Sequence, residues 1–246
     1  MPDSLVIIPT YNEKENAERI IRKTLSLPHD FHVLIIDDGS PDGTAQIVKN
    51  LQTEFPERLF LEERAGKQGL GTAYIHGFRW AIAKRYTYIF EMDADFSHNP
   101  NDLIRLRQAC VDGADVAVGS RYVKGVNVVN WPMGRVLMSY FASMYVRMIT
   151  GISIRDATAG FKCYRREVLE MIALDRIHFV GYAFQIEMKF TAIRHGFIVT
   201  EVPIIFTDRT EGQSKMSTRI FREAFIGVIQ MKIWSWFRKY PQKPVS

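Results

Sequence analysis

Two aspartates one residue apart, Asp93 and Asp95, are the side chains of this sequence best suited to chemistry. An apolar run from Tyr86 to Phe90 leads up to them. Mg²⁺ and Mn²⁺ prefer oxygen ligands, and Mg²⁺ is usually held by one or two carboxylates together with substrate phosphates. The pair therefore predicts a site for Mg²⁺ or Mn²⁺ at a strand end. Two solvated aspartates in a loop are the alternative, and a ligand role for the nearby His98 is less favoured.

Two further polar segments also follow apolar runs of strand length. Pro9 to Glu13 comes after Leu5–Ile8, and Asp37-Asp38 comes after Phe31–Ile36. In open parallel sheets, ligands bind outside the carboxyl ends of the strands. We therefore expect these segments and the aspartate pair to form one acidic pocket. A receiver-type phosphoacceptor domain would also place acidic residues at strand ends, but the Asp-x-Asp spacing and the chain length disfavour it.

The remaining patterns alternate between strands and helices, which predicts an α/β domain with a mostly parallel sheet. Asn12 with Glu15 resembles a capping box, and Ser40-Pro41 is typical of a helix start. Pro203 within the last strand predicts a sheet edge. Further strands are expected at 58–61, 115–118 and 198–206, and helices at 71–83, 100–111, 134–150, 167–173, 181–194 and 218–239.

The composition of the 246 residues narrows the class of protein further. The chain is 47% hydrophobic and has a formal net charge of +5, with the acidic motifs before residue 118 and the basic residues concentrated after it. This modest excess could serve nucleic acid, an anionic membrane face or a phosphorylated substrate, and of these we predict the last two and no nucleic acid. Cys110 and Cys163 are expected to be buried thiols. The N-terminus is unlike a signal peptide, and the longest uncharged apolar stretch, 136–146, is too short to span a bilayer. A cytoplasmic protein, soluble or peripheral at the inner face of the membrane, is expected.

The end of the chain predicts an amphipathic helix. Trp234 and Trp236 lie beside a stripe of apolar residues, and basic residues flank it. This pattern suits a helix lying at a membrane surface, and packing on the protein's own core explains it equally well. We divide the chain into a main domain, 1–217, and a C-terminal helix and tail, 218–246.

Several motifs together resemble a known family, the family 2 inverting glycosyltransferases with a GT-A (Rossmann-like) fold. Within it, they are most similar to dolichol-phosphate mannose synthases and bacterial polyprenyl-phosphate glycosyltransferases. The resemblance runs from residue 5 to about residue 220, with the motifs in the family's order. The motifs are Val6 to Glu13, Ile36 to Asp42, Met92-Asp-Ala-Asp95, Gly119-Ser-Arg-Tyr122, Asn130-Trp-Pro132, Gly181 to Met188, Glu201-Val-Pro203 and Arg209 to Met216.

The resemblance implies a function and a role for each matching residue. Hexose, most simply mannose from GDP-mannose, would be transferred with inversion to a polyprenyl phosphate at a membrane surface. The acceptor phosphate would be held by Arg121, Arg135 and Ser139, and the cation by Asp93 and Asp95. The nucleotide-sugar donor would be bound by Pro9, Tyr11, Glu13, Ile36, Asp38, Asp93, Ala94, Asp95, Arg209 and Lys215.

Two departures from the family pattern concern the donor site. Where some relatives have a metal-binding Gln two residues after the second aspartate, this chain has Ser97, whose shorter side chain would reach a cation through water. Where some relatives have Lys, this chain has Ala183. Alternatives are UDP-glucose or another nucleotide-sugar as donor, a saccharide as acceptor, and a non-enzymatic module that senses nucleotide or metal.

Overall fold

The computed structural model of the protein describes residues 3–208 and 218–244, with side chains in the second range described from Phe225 onward. Its centre is a seven-stranded sheet with the strand order β3-β2-β1-β4-β7-β5-β8. The strands are β1 (Ser4–Thr10), β2 (Phe31–Asp37), β3 (Leu59–Glu63), β4 (Tyr88–Glu91), β5 (Val116–Ser120), β7 (Lys162–Arg165) and β8 (Val199–Pro203). A separate small sheet pairs β6 (Val128–Val129) with β9 (Phe206–Thr207).

Helices cover both faces of the large sheet. They are α1 (Lys14–Leu25), α2 (Thr44–Glu54), α3 (Leu70–Ala83), α4 (Asp102–Val111), α5 (Met133–Thr150), α6 (Arg166–Met171), α7 (Tyr182–Arg194) and α8 (Thr218–Phe237), with a short 3₁₀ turn at Leu174–Arg176. Successive residues of a strand point to opposite faces. Leu5 and Ile7 of β1 accordingly join a core with α3, α6 and α7, whereas Val6 and Ile8 join a second core with α1, α2 and α4.

The strand register places the predicted polar segments at one edge of the sheet. Strands β1 to β4 are parallel, with Thr10 opposite Asp37, Asp37 opposite Glu63, and Ile7 opposite Glu91. The segments that follow β1, β2 and β4 therefore emerge side by side, as the sequence predicts. This confirms the expected α/β architecture and the relation between the polar motifs.

A third core joins α5, α7 and α8. Val228 and Met231 of α8 are buried there with Val146 of α5 and Phe190 of α7. The rings of Tyr145 and Phe225 stack with centroids 4.2 Å apart. One face of α8 thus packs on the protein. The division of the chain into a main domain, 1–217, and a C-terminal helix and tail, 218–246, stays a prediction. Among the described residues, no helix has both the length and the apolar character needed to cross a membrane.

The structure corrects two predicted helix starts. Helix α1 begins at Lys14 with Glu13 at its N-cap, and no side chain caps it, so the Asn12 capping box is wrong. Asn12 instead has a φ of 57°, and its backbone N–H donates to the Ser40 hydroxyl. Helix α2 begins at Thr44, because Ser40 and the residues after it form a loop that ties the two strand ends together.

The structure also differs from the sequence prediction around β7 and β8. Strand β7 runs antiparallel between β4 and β5, and its short sequence, with Lys162 and Arg165 at its ends, gives no strand signal. The strand predicted at 198–206 is divided after Pro203 into β8 and β9. Strand β8 lies at the sheet edge, as Pro203 predicts. Cys110 and Cys163 are both buried free thiols, as expected.

Candidate active site

Hydrogen bonds join the loops after β1 and β2, which carry the residues predicted to bind the nucleotide-sugar. The backbone N–H of Glu13 donates to the Thr44 hydroxyl at 3.1 Å, and that of Lys14 donates to the Asp42 carboxylate at 3.1 Å. Pro9 lies directly opposite the fully buried Ile36 in the strand register. The ammonium group of Lys67 lies 5.1 Å from the Tyr11 ring centroid. These contacts fix the backbone of the two loops that, by the family resemblance, would bind the nucleotide.

The two aspartates at the end of β2 have different environments. Asp37 is fully buried and accepts hydrogen bonds from the backbone N–H of Ser40, and burial raises the pKa of its carboxyl. Asp38 is paired with Arg64, whose Nε lies 2.6 Å from Oδ1. Arg64 also donates to the hydroxyl of Thr72 in the first turn of α3. Asp38 is therefore fixed by an arginine that the sequence analysis did not select.

The segment after β4 presents the two predicted metal ligands. The Asp93 side chain is 41% exposed, whereas Ala94 is buried. Asp95 accepts a hydrogen bond from the backbone N–H of Ser97 at 3.0 Å. The Ser97 hydroxyl oxygen is buried and has no hydrogen-bond partner among the described residues. This hydroxyl oxygen is therefore suited to be a further ligand of a cation bound by Asp93 and Asp95.

A cation at this loop would need further ligands from a bound substrate. Among the described residues, no group of three or more His, Cys, Asp or Glu side chains is arranged to hold a metal ion. Two carboxylates completed by phosphate oxygens is the usual arrangement for Mg²⁺. Asp93 and Asp95 fit that donor set.

His98 is packed as a structural ring. It stacks on Phe161 with centroids 4.8 Å apart and meets the edge of Phe206 at 5.3 Å. Burial lowers its pKa to about 4, so the ring is neutral near pH 7. Its Nδ1 accepts from the backbone N–H of Asp93 at 3.4 Å, which places the ring under the aspartate loop. These contacts support a positioning role for His98 and do not favour a ligand role.

Arg121 lies in a buried ion pair with Asp156. Nε and Nη2 of Arg121 lie 2.7 Å from the two carboxylate oxygens, and Nη2 also donates to Thr158 at 2.8 Å. The guanidinium carbon lies within 5.6 Å of the centroids of the Tyr122, Trp131 and Phe206 rings. Burial alone would raise the pKa of Asp156, but the charge and hydrogen bonds of Arg121 outweigh burial and lower it.

Arg135 and Ser139 lie one helical turn apart on α5. Arg135 stacks over Trp131 at 4.1 Å and donates through Nη1 to Asp208 at 2.8 Å. Its side chain is 26% exposed, which makes it more accessible than Arg121 at 8%. The Ser139 hydroxyl is buried and has no hydrogen-bond partner among the described residues.

One cavity of about 710 Å³ brings the two halves of the predicted site together. Its wall includes Asp93 of the predicted cation site together with Arg121, Arg135 and Ser139 of the predicted acceptor site. Gln185, Tyr182 and Trp131 also line it, although the sequence analysis gave none of them a role. Arg209 and Lys215, predicted to close over the donor, lie outside the described residues.

Comparison with known proteins identifies the class as a glycosyltransferase. The chain belongs to the glycosyl transferase family 2, whose family model matches residues 5–172. It is 47% identical over 230 residues to the polyprenol monophosphomannose synthase of Mycolicibacterium smegmatis, covering 94% of this chain and 87% of the relative. It is 43% identical over 224 residues to the undecaprenyl-phosphate mannosyltransferase of Micrococcus luteus, covering 91% of each.

A solved structure supports the fold. The mannosyltransferase of Pyrobaculum calidifontis, solved in complex with GDP-mannose and Mn²⁺, superposes with a TM-score of 0.61 at 18% identity. The match covers 99% of this chain and 66% of that one. The expected GT-A fold is thereby confirmed, and the family match and the two relatives confirm the expected enzyme class. The roles of individual site residues stay predictions.

The Arg121–Asp156 pair gives a prediction about stability. Asp156→Asn removes the carboxylate and leaves a buried guanidinium without its counter-charge. Such a change typically costs about 3 to 5 kcal/mol in the free energy of unfolding. Urea unfolding of the purified variant measures this loss. The matched control is Asp175→Asn, the same change in an ion pair with Arg79 whose Asp175 side chain is 85% exposed. Equal stability of the two variants would contradict the assigned role of Asp156.

Proposed function

We propose that the protein transfers mannose from GDP-mannose to a polyprenyl phosphate with inversion at the anomeric carbon. The observation that carries this proposal is that Asp93 lines the same cavity as Arg121, Arg135 and Ser139. The acidic group suits a cation-bound diphosphate, and the basic groups suit an incoming phosphate. The names of the relatives at 47% and 43% identity support the same donor sugar and acceptor class.

In the loop after β4, Asp93 and Asp95 would hold Mg²⁺ or Mn²⁺, with Ser97 as an additional oxygen ligand, directly or through water. The cation would neutralise the charge that develops on the departing nucleoside diphosphate. The Mn²⁺ in the solved mannosyltransferase supports a divalent cation. The nucleotide would contact Pro9, Tyr11, Glu13, Ile36, Asp38 and Ala94. Arg209 and Lys215 are proposed to bind the diphosphate.

The reaction requires no general base in the cavity. A phosphate monoester has a second pKa near 6, so it is mostly a dianion at pH 7 to 8. One of its oxygens attacks the anomeric carbon as the bond from that carbon to the diphosphate oxygen breaks, and GDP leaves. Of the described residues that line the cavity, only Asp93 and Asp208 carry carboxylates. Asp208 is bonded to Arg135 and Asp93 is assigned to the cation, which favours a phosphate over a hydroxyl acceptor.

Arg135 is the principal phosphate ligand that we propose. Its guanidinium can turn from Asp208 to an incoming phosphate and grip it with paired donors. Arg121 contributes a charge that Asp156 partly compensates, because two of its three nitrogens donate to that carboxylate or to Thr158. The Ser139 hydroxyl supplies a further donor on the same helix.

The lipid part of the acceptor has an apolar surface beside the cavity. Helix α5 lines the cavity with Arg135, Met138, Ser139 and Ala142. Exposed apolar side chains continue from α5 onto the neighbouring α8. They are Met133, Leu137, Tyr140, Phe141, Met144 and Met148 on α5, and Phe225, Ile226, Ile229, Ile233, Trp234, Trp236 and Phe237 on α8.

A continuous apolar surface of this kind marks an interaction site. We propose that α5 and α8 lie on the membrane and that the protein is peripheral at its cytoplasmic face. Lys239, exposed just after α8, supplies positive charge for anionic lipids, whereas Lys232 and Arg238 donate to the backbone carbonyls of Thr150 and Arg176. The sequence pattern suits a membrane surface at α8 and gives no such signal for α5. Within α8, Val228 is buried against the protein and takes no part in the exposed surface.

The acceptor assay tests the proposed function directly. We expect rapid transfer from GDP-mannose to polyprenyl phosphate and none to the matching free polyprenol, since the alcohol lacks the ionised oxygen. Arg135→Ala should reduce transfer by at least tenfold while leaving GDP binding unchanged, because it removes a charge-assisted contact to phosphate only. Radiolabelled product extraction measures transfer. A panel with UDP-glucose and an oligosaccharide acceptor covers the rivals, and efficient transfer to polyprenol or the oligosaccharide would overturn the proposal.

The cation site gives a second prediction. Asp95→Asn should reduce transfer by at least a hundredfold with Mg²⁺ or Mn²⁺ present, because the cation loses a charged ligand. EDTA should abolish transfer by the wild-type protein, and added Mn²⁺ should restore it. The control is Asp102→Asn, a carboxylate of α4 paired with Arg105. Full activity in excess EDTA would refute the metal assignment.

The membrane surface gives a third prediction. Met148→Ser on α5 and Phe237→Ser on α8 replace side chains of residues that are 73% and 83% exposed. Each should weaken binding to anionic liposomes by about tenfold, given about 1.5 to 3 kcal/mol for burying a large apolar side chain. Co-sedimentation measures binding, which should also fall with salt. Val111→Ser, at an exposed position of α4, is the matched control. Equal liposome binding of all three variants would refute the docking surface.

A further inference from the structure

Gln185 of α7 lies in a buried polar network beneath the cavity. Its Nε2 donates to Oε2 of Glu91 at 2.7 Å, and its Oε1 accepts from Nζ of Lys162. Glu91 and Lys162 are fully buried. Tyr164 donates to the other oxygen of Glu91 at 2.9 Å. The Lys162 ammonium lies 3.2 Å from that same oxygen of Glu91, so three donors converge on one carboxylate at the end of β4.

This network fixes the orientation of the Gln185 amide. Turning the amide over would place its oxygen against the Glu91 carboxylate and its NH₂ group against the Lys162 ammonium. Two acceptors and two donors would then face each other in a buried environment, where unmade hydrogen bonds are costly. The amide therefore keeps its NH₂ group on the Glu91 side. That group has two N–H bonds, and Glu91 requires only one of them.

The NH₂ group lies at the cavity wall. Gln185 and Gly160 both line the cavity. A Cβ on Gly160 would lie 3.5 Å from Nε2 of Gln185, so the glycine leaves space directly beside this nitrogen. A cavity wall without a Cβ next to a fixed amide is suited to a ligand oxygen.

The position of this amide selects the part of the substrate that it meets. Glu91 is the last residue of β4 and precedes Asp93 by two residues, which puts Gln185 close to the aspartate loop. Gly160, beside the Gln185 amide, follows Thr158 by two residues, and Thr158 contacts Arg121. Gln185 is thus near both the loop with the predicted cation ligands and the loop that holds Arg121. In the proposed reaction, the transferred hexose occupies the space between the donor diphosphate and the acceptor phosphate.

We infer that the free N–H of Gln185 donates a hydrogen bond to an oxygen of the donor hexose, so that Gln185 is a sugar-contacting residue. This inference rests on the proposed function, which places the hexose between the donor diphosphate and the acceptor phosphate. The amide is a neutral, donor-only contact, because its oxygen is held by Lys162. It would recognise a hydroxyl or ring oxygen of the sugar and leave the nucleotide untouched.

Calorimetric binding of GDP and of GDP-mannose, each with Mn²⁺, tests this contact without requiring turnover. The ratio of the two affinities reports the sugar alone. Gln185→Glu keeps the shape of the side chain, and the new carboxyl would share one proton with Glu91, which leaves no donor for the cavity. It should lower that ratio by about five- to tenfold, the value of one hydrogen bond of about 1 kcal/mol or slightly more. Gly160→Ala keeps the network and covers the amide with a methyl group, and it should lower the ratio in the same direction. GDP affinity should stay within about twofold in both variants, since the nucleotide makes no contact with the amide.

Tyr164→Phe is the matched control. It removes another hydrogen bond to Glu91 from the side away from the cavity, so it disturbs the network without touching the sugar site. We expect an unchanged affinity ratio for this variant, whatever its melting temperature. An equal fall in the ratio for Tyr164→Phe and Gln185→Glu would show that Gln185 acts only through the network, which would overturn the inference.

Deoxy analogues of GDP-mannose identify the sugar oxygen. Removing the contacted hydroxyl should weaken binding to the wild-type protein but cause no further loss in Gln185→Glu, because the two changes remove the same bond. The inference would be overturned if Gln185→Glu left the affinity ratio unchanged and each deoxy analogue lost as much affinity in Gln185→Glu as in the wild-type protein.

The same affinity ratio, measured with UDP-glucose and UDP, reports the Gln185 contact for another donor sugar, so the contact can be tested separately from the proposed transfer of mannose. A protein that binds sugar through Gln185 but fails to transfer mannose to polyprenyl phosphate contradicts only the proposed function.

Discussion

The buried pairing of Lys162 with Glu91 is the constraint on which the site depends. Lys162 begins the antiparallel strand β7 and lies opposite Glu91, the last residue of β4, in the strand register. Both side chains are fully buried and lie 3.2 Å apart. A buried ion pair contributes little net stability compared with apolar residues of the same size, but breaking it leaves an uncompensated charge. We interpret the pair as fixing the register of β7 against β4.

That register determines where the two halves of the cavity meet. The loop before β7 carries Asp156 and Thr158, which hold Arg121, while the loop after β4 carries Asp93 and Asp95. A slip of one residue in β7 would move every side chain of that strand to the other face of the sheet. The acidic and basic parts of the chain, which are far apart in sequence, are therefore brought together by one short strand.

The sequence predicts the parallel half of the fold well and the antiparallel strand not at all. Strands β1, β2 and β4 are apolar runs buried on both faces, and their polar ends identify the edge where substrates bind. Strand β7 has no such pattern, because its polar ends find their partners only in the folded protein. For the same reason Asp156 and Arg64 escaped notice, since a buried counter-charge cannot be distinguished from a solvated one in a single sequence. Gln185 belongs to a family motif, yet its role depends on contacts with two strands that the sequence does not connect.

Helix α5 combines two properties that shape the kinetics of the proposed reaction. One side lines the cavity with Arg135 and Ser139, and the other carries exposed apolar residues such as Phe141 and Met148. In the proposed reaction, an acceptor that reaches the cavity along this helix comes from the bilayer surface and not from solution. The rate would then depend on the number of acceptor molecules per unit area of bilayer. Dilution with inert lipid would slow turnover even at constant bulk concentration of acceptor, so turnover would depend on the surface density of the lipid carrier.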